Sequence, residues 1–392
     1  MKNKSIVFIL GAGFNQCIKD WDGLKPPLAT NFFQTILRSD KYQYEGYSRL
    51  TDPIYNYIEK FWKKTKADLM SQPFDLEECF TFIELQYYES VQREDKDKSI
   101  ELATINFNLK TLLAAFLSEF ERFTSQSEPL KNFAGRIYEE RHPIITFNYD
   151  CILEDAIKSA SGVCEHIPTS FLQSQPDDGE LPDDLLAYSH CNWNAPLGYG
   201  FRFDEIQLQQ AGVSKYVDGH RFYSHPKNTM YDWQILKLHG SLNWFHYLQP
   251  INPAFEKDLP PDRRNDVILM GGYWHLGIPP LLGTWFVDPL IITPQLYKEK
   301  YYATDLFSYL WAQAKELIEK CTSLVIIGYS FPPTDFAIRK LLLESFANTE
   351  LKELVVVNPD ASVVRTVKEL VHFTKPMLVC YDLDEFLKHD LG

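Results

Sequence analysis

The stretch Ile6-Val-Phe-Ile-Leu-Gly-Ala-Gly-Phe-Asn-Gln16 decides the fold. Its unbroken apolar run, Ile6 to Leu10, fits a strand buried on both faces, as strands of a parallel sheet are. The run meets Gly11-Ala12-Gly13, where a backbone can turn sharply and approach a phosphate with its N–H groups aimed at the anion. Gly-x-Gly alone also fits an ordinary strand-ending turn, and Gln16 stands where a dinucleotide fingerprint carries its third glycine. The remaining strands have to decide between the two.

Several of them repeat the pattern. Pro143-Ile-Ile-Thr-Phe147 ends in Asn148-Tyr149-Asp150 before a helix near Ile152 to Ser159. Asp150 sits where a helix N-cap belongs and Asn148 is an ordinary turn residue, yet both lie at the carboxyl end of a strand, where open α/β sheets bind ligands. Ile235-Leu-Lys-Leu238 stops at His239-Gly240, and the glycine with nearby Ser241 and Asn243 favours an approach to ligand. Leu324-Val-Ile-Ile327 meets Gly328-Tyr-Ser-Phe-Pro-Pro-Thr-Asp335, followed by a helix from about Phe336 to Phe346. Leu354-Val-Val-Val357 ends in Asn358-Pro-Asp360, a helix runs to His372, and a strand from Met377 to Cys380 follows. Strands alternating with helices, with near-continuous Val, Ile and Leu, predict an α/β fold with a Rossmann-like, doubly wound parallel sheet.

Between these strands lie three interruptions. From 29 to 140 the apolar stripes Ile54/Tyr57/Ile58/Phe61, Phe80/Ile83/Tyr87 and Leu109/Leu112/Leu113/Phe116/Phe120 have helical spacing and predict a large insertion of roughly four to five helices. The polar run Arg93 to Lys98 separates the last two stripes as an exposed connection. Residues 160–230 read as irregular, and 250–285 as loops with a short hairpin.

Composition narrows the partners. With 392 residues and a net charge of −14, the acidic surface disfavours direct nucleic-acid binding, and no basic cluster stands out. No secretory signal or membrane-length apolar run is visible. Seven scattered cysteines fit a reducing compartment, so a cytoplasmic protein is expected. Cys164, His166, His190 and Cys191 match no common zinc spacing and no Cys-x-x-Cys occurs, so no metal is expected.

Gly11-Ala-Gly13, Thr146-Phe-Asn-Tyr-Asp150, Leu238-His-Gly-Ser241, Gly328-Tyr-Ser330 and Val357-Asn358, in that order, resemble the sirtuin (silent information regulator) family, and its bacterial sirtuin-like branch more closely. The resemblance implies one NAD-binding unit over 1–392. It implies that Gly11, Ala12 and Gly13 cradle the pyrophosphate, that Asn15 also belongs to the cofactor-binding set, and that Gly328, Ser330 and Asn358 meet the adenosine side. Asn148, Asp150 and His239 would form the catalytic group beside the nicotinamide ribose. Protein deacylases of this family have Gln where Phe147 stands, Ser where Asn15 stands, and two zinc-holding Cys-x-x-Cys pairs that this chain lacks. The variant motifs are similar to NAD-cleaving subunits of bacterial antiphage systems, in which NAD is the substrate and a HerA-type ATPase is a partner. Such a subunit would be gated, since a constitutive NADase kills its host. Tyr42, Tyr44, Tyr47 and Tyr88 suggest a homo-oligomer interface.

Cleaving the nicotinamide–ribose bond builds oxocarbenium character. Asn148 can orient a water, His239 can accept a proton, and Asp150 can stabilise positive charge or only fix its loop, the latter being favoured. Placed at strand ends, Asn148 and His239 are expected to cost no more than about 1–2 kcal/mol of stability when truncated. The alternatives are an NAD-dependent protein-lysine deacylase and a non-catalytic scaffold sensing NAD or ADP-ribose.

Overall fold

The computed structural model describes residues 5–20, 22–43, 47–161, 198–210, 213–224, 233–270, 281–295, 298, 302, 304–332, 335–347 and 351–389. Its strands are β1 (Ile6–Leu10), β2 (Ile144–Thr146), β3 (Glu205–Gln210), β4 (Val213–Asp218), β5 (Ile235–Lys237) and β6 (Gly240–Pro250). They continue with β7 (Ile268–Leu269), β8 (Leu281–Leu282), β9 (Trp285–Ile291), β10 (Ser323–Ile327), β11 (Glu353–Val357) and β12 (Leu378–Cys380). The first sheet has the order β12-β11-β10-β1-β2-β5 and every pairing is parallel. This is the Rossmann-like arrangement that the apolar strands predict, with the order reversing at β1, where β10 joins the first half of the sheet. β1, β2, β5 and β10 are buried throughout. Each fully buried Val, Ile or Leu contributes about 1.5–3 kcal/mol, and this is why these runs can only be central strands.

Register aligns the strand ends. Leu10 pairs with both Ile327 and Thr146, Thr146 with Lys237, and Ile327 with Val357. The chain therefore leaves β1, β2, β5, β10 and β11 along one row, so that Gly11, Phe147, Leu238, Gly328 and Asn358 are neighbours at one edge.

Among the described residues six helices precede β2, more than the roughly four to five expected: α1 (Phe32–Arg38), α2 (Ser48–Trp62), α3 (Lys66–Ser71), α4 (Leu76–Gln92), α5 (Lys96–Glu119) and α6 (Glu128–Glu140). α1 and α3 are too short to show a periodic stripe; α3 is held by a capping box in which Thr65 and Asp68 bond reciprocally. Ile54, Ile58, Leu109 and Leu112 are fully buried, as their spacing predicts. α6 packs on the sheet, its Phe133 meeting Phe8 of β1 and Phe14 edge-on at 5.7 and 5.1 Å. The run 96–126 has the length and hydropathy of a membrane span, but 61% of its apolar window is buried inside the fold, as in a core helix. Of the tyrosines expected at an interface, Tyr42 is buried edge-on against Phe116, Tyr47 packs on Tyr42, Tyr88 is exposed, and Tyr44 lies outside the described residues.

The second sheet, β4-β3-β7-β6-β9-β8, is antiparallel except for β3 with β7. It corrects part of the reading of 160–230 as irregular, because β3 and β4 form a six-residue-long hairpin there. Most of the remainder, 162–197, lies outside the described residues, as do 271–280. The later helices are α7 (Ile152–Ser161), α8 (Gly219–Ser224), α9 (Asp305–Lys320), α10 (Phe336–Phe346), α11 (Ala361–Leu370) and α12 (Leu383–Phe386).

Candidate active site

The glycine loop is built into the sheet. Gly11 N–H donates to the Ile327 carbonyl at 3.0 Å and Gly13 N–H to the Gly328 carbonyl at 2.8 Å. These two donors are engaged by β10 and its turn, so neither is aimed at a phosphate; Ala12, between them, is exposed. Gly328 has φ +64, and a Cβ there would stand 2.1 Å from the Phe14 nitrogen. Loop and turn thus interlock at the point where the strand order reverses.

Asn148 ties the second strand to this loop: its Nδ2 donates to the Gly11 carbonyl at 3.2 Å. Asp150 does the same one step further on, accepting from Asn15 Nδ2 at 2.8 Å while its other oxygen accepts from the N–H of Ile152 at the start of α7. Burial pushes its carboxyl up to about 6, with the Lys237 ammonium acting against burial. A carboxyl that caps a helix and holds Asn15 is fixing its loop, which is the favoured reading of Asp150. Asn15 itself is 3% exposed, and its Oδ1 is a buried acceptor without a protein partner among the described residues. A buried carbonyl oxygen left unpaired costs about 1–3 kcal/mol, so the position calls for a donor from a ligand or water.

His239 stands where the chain passes from one sheet to the other. Leu238 N–H bonds to the Thr146 carbonyl of the first sheet at 3.0 Å, and the His239 carbonyl accepts from Ile292 N–H, beside the second sheet, at 2.8 Å. Gly240, read from sequence as a sign of ligand approach, answers instead to the backbone: its φ is +80, and a Cβ would lie 2.0 Å from the Leu290 carbonyl oxygen. Ser241 and Asn243 are likewise not turned to a ligand. Both are fully buried, Ser241 Oγ donating to Asn243 Oδ1 at 2.6 Å and Asn243 Nδ2 to the Tyr199 hydroxyl at 3.0 Å.

The imidazole is 4% exposed and enclosed by rings: Phe147 edge-on at 5.0 Å, and Tyr149 and Tyr302 nearly parallel at 6.3 and 6.4 Å. Truncation to Ala would open a hole among these rings, so His239→Ala costs more than a strand-end position implies. Nε2 lies 3.3 Å from the Tyr302 hydroxyl and 3.6 Å from Asp335 Oδ1. Asp335 is bonded by the Lys298 ammonium and, at 2.6 Å, by the Tyr329 hydroxyl. Burial pushes His239 down to about 3; the Asp335 carboxylate opposes that shift and Lys298 reinforces it. Burial works against ionising Asp335, but His239, Lys298 and the donor bonds outweigh it and hold the carboxyl below its ordinary range.

On the other side of the switch point, Tyr329 stacks on Phe147 at 4.4 Å, and Asn358 donates to the Tyr329 carbonyl at 3.4 Å while its Oδ1 accepts from Asp360 N–H. Ser330 is exposed. All ten residues singled out in the sequence lie just beyond the carboxyl ends of β1, β2, β5, β10 and β11. Asp335, Lys298, Tyr302, Lys237 and Glu154 are additions. Asp335 closes the quoted Gly328–Asp335 motif and was visible as its last polar residue; Lys298 and Tyr302 follow no strand end and carry no local signal. Among the described residues no group of three His, Cys, Asp or Glu forms a metal site; Cys164, His166, His190 and Cys191 lie outside them. Among known proteins, no protein-family model matches the chain and no curated protein matches it.

Proposed function

We propose that this protein is a sirtuin-like NAD glycohydrolase. In this reading it splits NAD into nicotinamide and ADP-ribose as a cytoplasmic, oligomeric effector of antiphage defence, gated by a partner such as a HerA-type ATPase. The observation that carries the reading is the convergence of Asn148, His239 and the unpaired Oδ1 of Asn15 at the reversal of a Rossmann-like sheet. Sheets of this kind bind dinucleotides at that crevice.

Each residue has a task its chemistry suits. Asn15 Oδ1 accepts a hydrogen bond from a substrate hydroxyl or amide. Asn148, half-buried and tied to the glycine loop, orients the attacking water. His239, kept neutral by burial, has one bare ring nitrogen to take a proton. The scaffold reading draws on one observation, that Asn148 and Asp150 already hold loop contacts which a pure binder would also need.

The test is nicotinamide release from NAD by the purified chain, alone and with a candidate ATPase partner. Asn148→Ala and His239→Gln should each lower the rate by about 100-fold or more. Both variants should melt as folded proteins. Full activity in both would remove the role assignment, and NAD binding without release in the wild type, alone and with the partner, would favour the scaffold.

A further inference from the structure

We propose that Asp335, held by Lys298 and Tyr329, is the positioning residue of His239, fixing the tautomer that carries its proton on Nε2 and leaves Nδ1 to accept one. The rate it predicts rests on the NAD-cleaving reading; the tautomer is a property of the resting protein.

Donors and acceptors decide the tautomer. Among the described residues two groups face Nε2: the Tyr302 hydroxyl at 3.3 Å and Asp335 Oδ1 at 3.6 Å. A hydroxyl serves a ring nitrogen as donor or acceptor, whereas an ionised carboxylate only accepts. At 3.6 Å the carboxylate acts on the ring through its charge and not through a hydrogen bond, and that charge favours the proton on Nε2 over the alternative. Its own orientation is fixed at both oxygens, Oδ1 by Lys298 and Oδ2 by the Tyr329 hydroxyl. Lys298 matters for a second reason. Burial keeps the ring neutral against the pull of the Asp335 carboxylate, and the Lys298 ammonium offsets part of that pull. Among the described residues, the other titratable groups around the ring are Tyr149, Tyr302 and Tyr329, with Glu77 of α4 bearing on Tyr149 and Tyr329. Burial pushes the Tyr149 and Tyr329 phenols well above their ordinary range, so neither adds charge near neutral pH.

Histidine-selective 15N labelling reads the tautomer directly, with His239→Gln identifying the resonances. In the wild type His239 should show a protonated Nε2 and a bare Nδ1, unchanged down to about pH 5. In Asp335→Asn, whose amide can also donate, the two tautomers should mix, and NAD turnover should fall about tenfold or more with KM little changed. In Lys298→Met the uncancelled carboxylate should raise the pH at which His239 titrates by about one unit or more. Lys298→Arg, which keeps the charge, should return that titration to the wild-type range. A proton on Nδ1 in the wild type, or an unaltered tautomer in folded Asp335→Asn, would overturn the proposal. If Asp335→Asn does not fold, the Lys298 pair decides: no upward shift in Lys298→Met would overturn it. The expected tautomers in a protein that never cleaves NAD would uphold the positioning and remove the glycohydrolase reading instead.

Discussion

Lys237 carries a charge into the sheet two residues before His239, with 1% of its surface exposed. Its ammonium donates to Glu154 at 2.8 Å and to the Asp150 carbonyl at 2.5 Å, and Glu154 also accepts from the Tyr199 hydroxyl at 3.0 Å. Burying two charges is costly, and the pair survives because each partner and the surrounding donors are satisfied. Lys237→Met strands the Glu154 carboxylate and should lower stability by about 3–5 kcal/mol in chemical denaturation. Adding Glu154→Gln should recover part of that loss, since no unpaired charge then remains. A Lys237→Met single variant as stable as wild type would show that the pair does not fasten the Asp150 turn. Nothing in the local sequence marks this pair, because Lys237 stands in an otherwise apolar run with no acid beside it and Glu154 is one of two first-turn helix acids.

At the scale of elements, the interlock of the glycine loop with the β10 turn has a sharp consequence. Gly328→Ala would force a left-handed conformation on a residue with a side chain and press its Cβ against Phe14. The cost should be on the order of 2–5 kcal/mol, measured by thermal or denaturant unfolding. A neutral Gly328→Ala would mean that loop and turn are loosely packed. The same interlock explains why β1 was so legible: an unbroken apolar run has no place except the middle of a parallel sheet. Residues that end such runs, from Gly11 to Asn358, fall together because register aligns the strand ends, so the strand pattern alone indicated the crevice. The second sheet was not legible. β7 and β8 are two residues each, and β6 finds its partners β7 and β9 across a Pro- and Gly-rich stretch, so no window of sequence carries its pairing. Ser241 and Asn243 were misjudged because their partners, apart from each other, are the Tyr149 carbonyl and the Tyr199 hydroxyl, which lie far away along the chain.

Over the whole molecule, the helical insertion and the second sheet are joined directly. Lys110 of α5 donates to Asp288 of β9 at 2.5 Å, and His246 of β6 lies 3.8 Å from the same carboxylate. Burial raises the Asp288 carboxyl, but Lys110 and His246 outweigh it and keep it ionised. Ser127, capping α6, donates to the Cys17 carbonyl at 2.9 Å and ties the insertion to the end of the glycine loop. The crevice at the strand ends is thus framed by parts of the chain from Gly11 to Asn358, and the reaction proposed there is NAD hydrolysis. Mass spectrometry of the products formed from NAD in H2(18)O tests it most directly. A glycohydrolase must release nicotinamide and ADP-ribose in equal amounts, with one 18O on the ribose carbon that carried nicotinamide, and Asn148→Ala must abolish the labelled product. Intact NAD after prolonged incubation, with and without the partner, or nicotinamide release only when an acylated peptide is present, would contradict it.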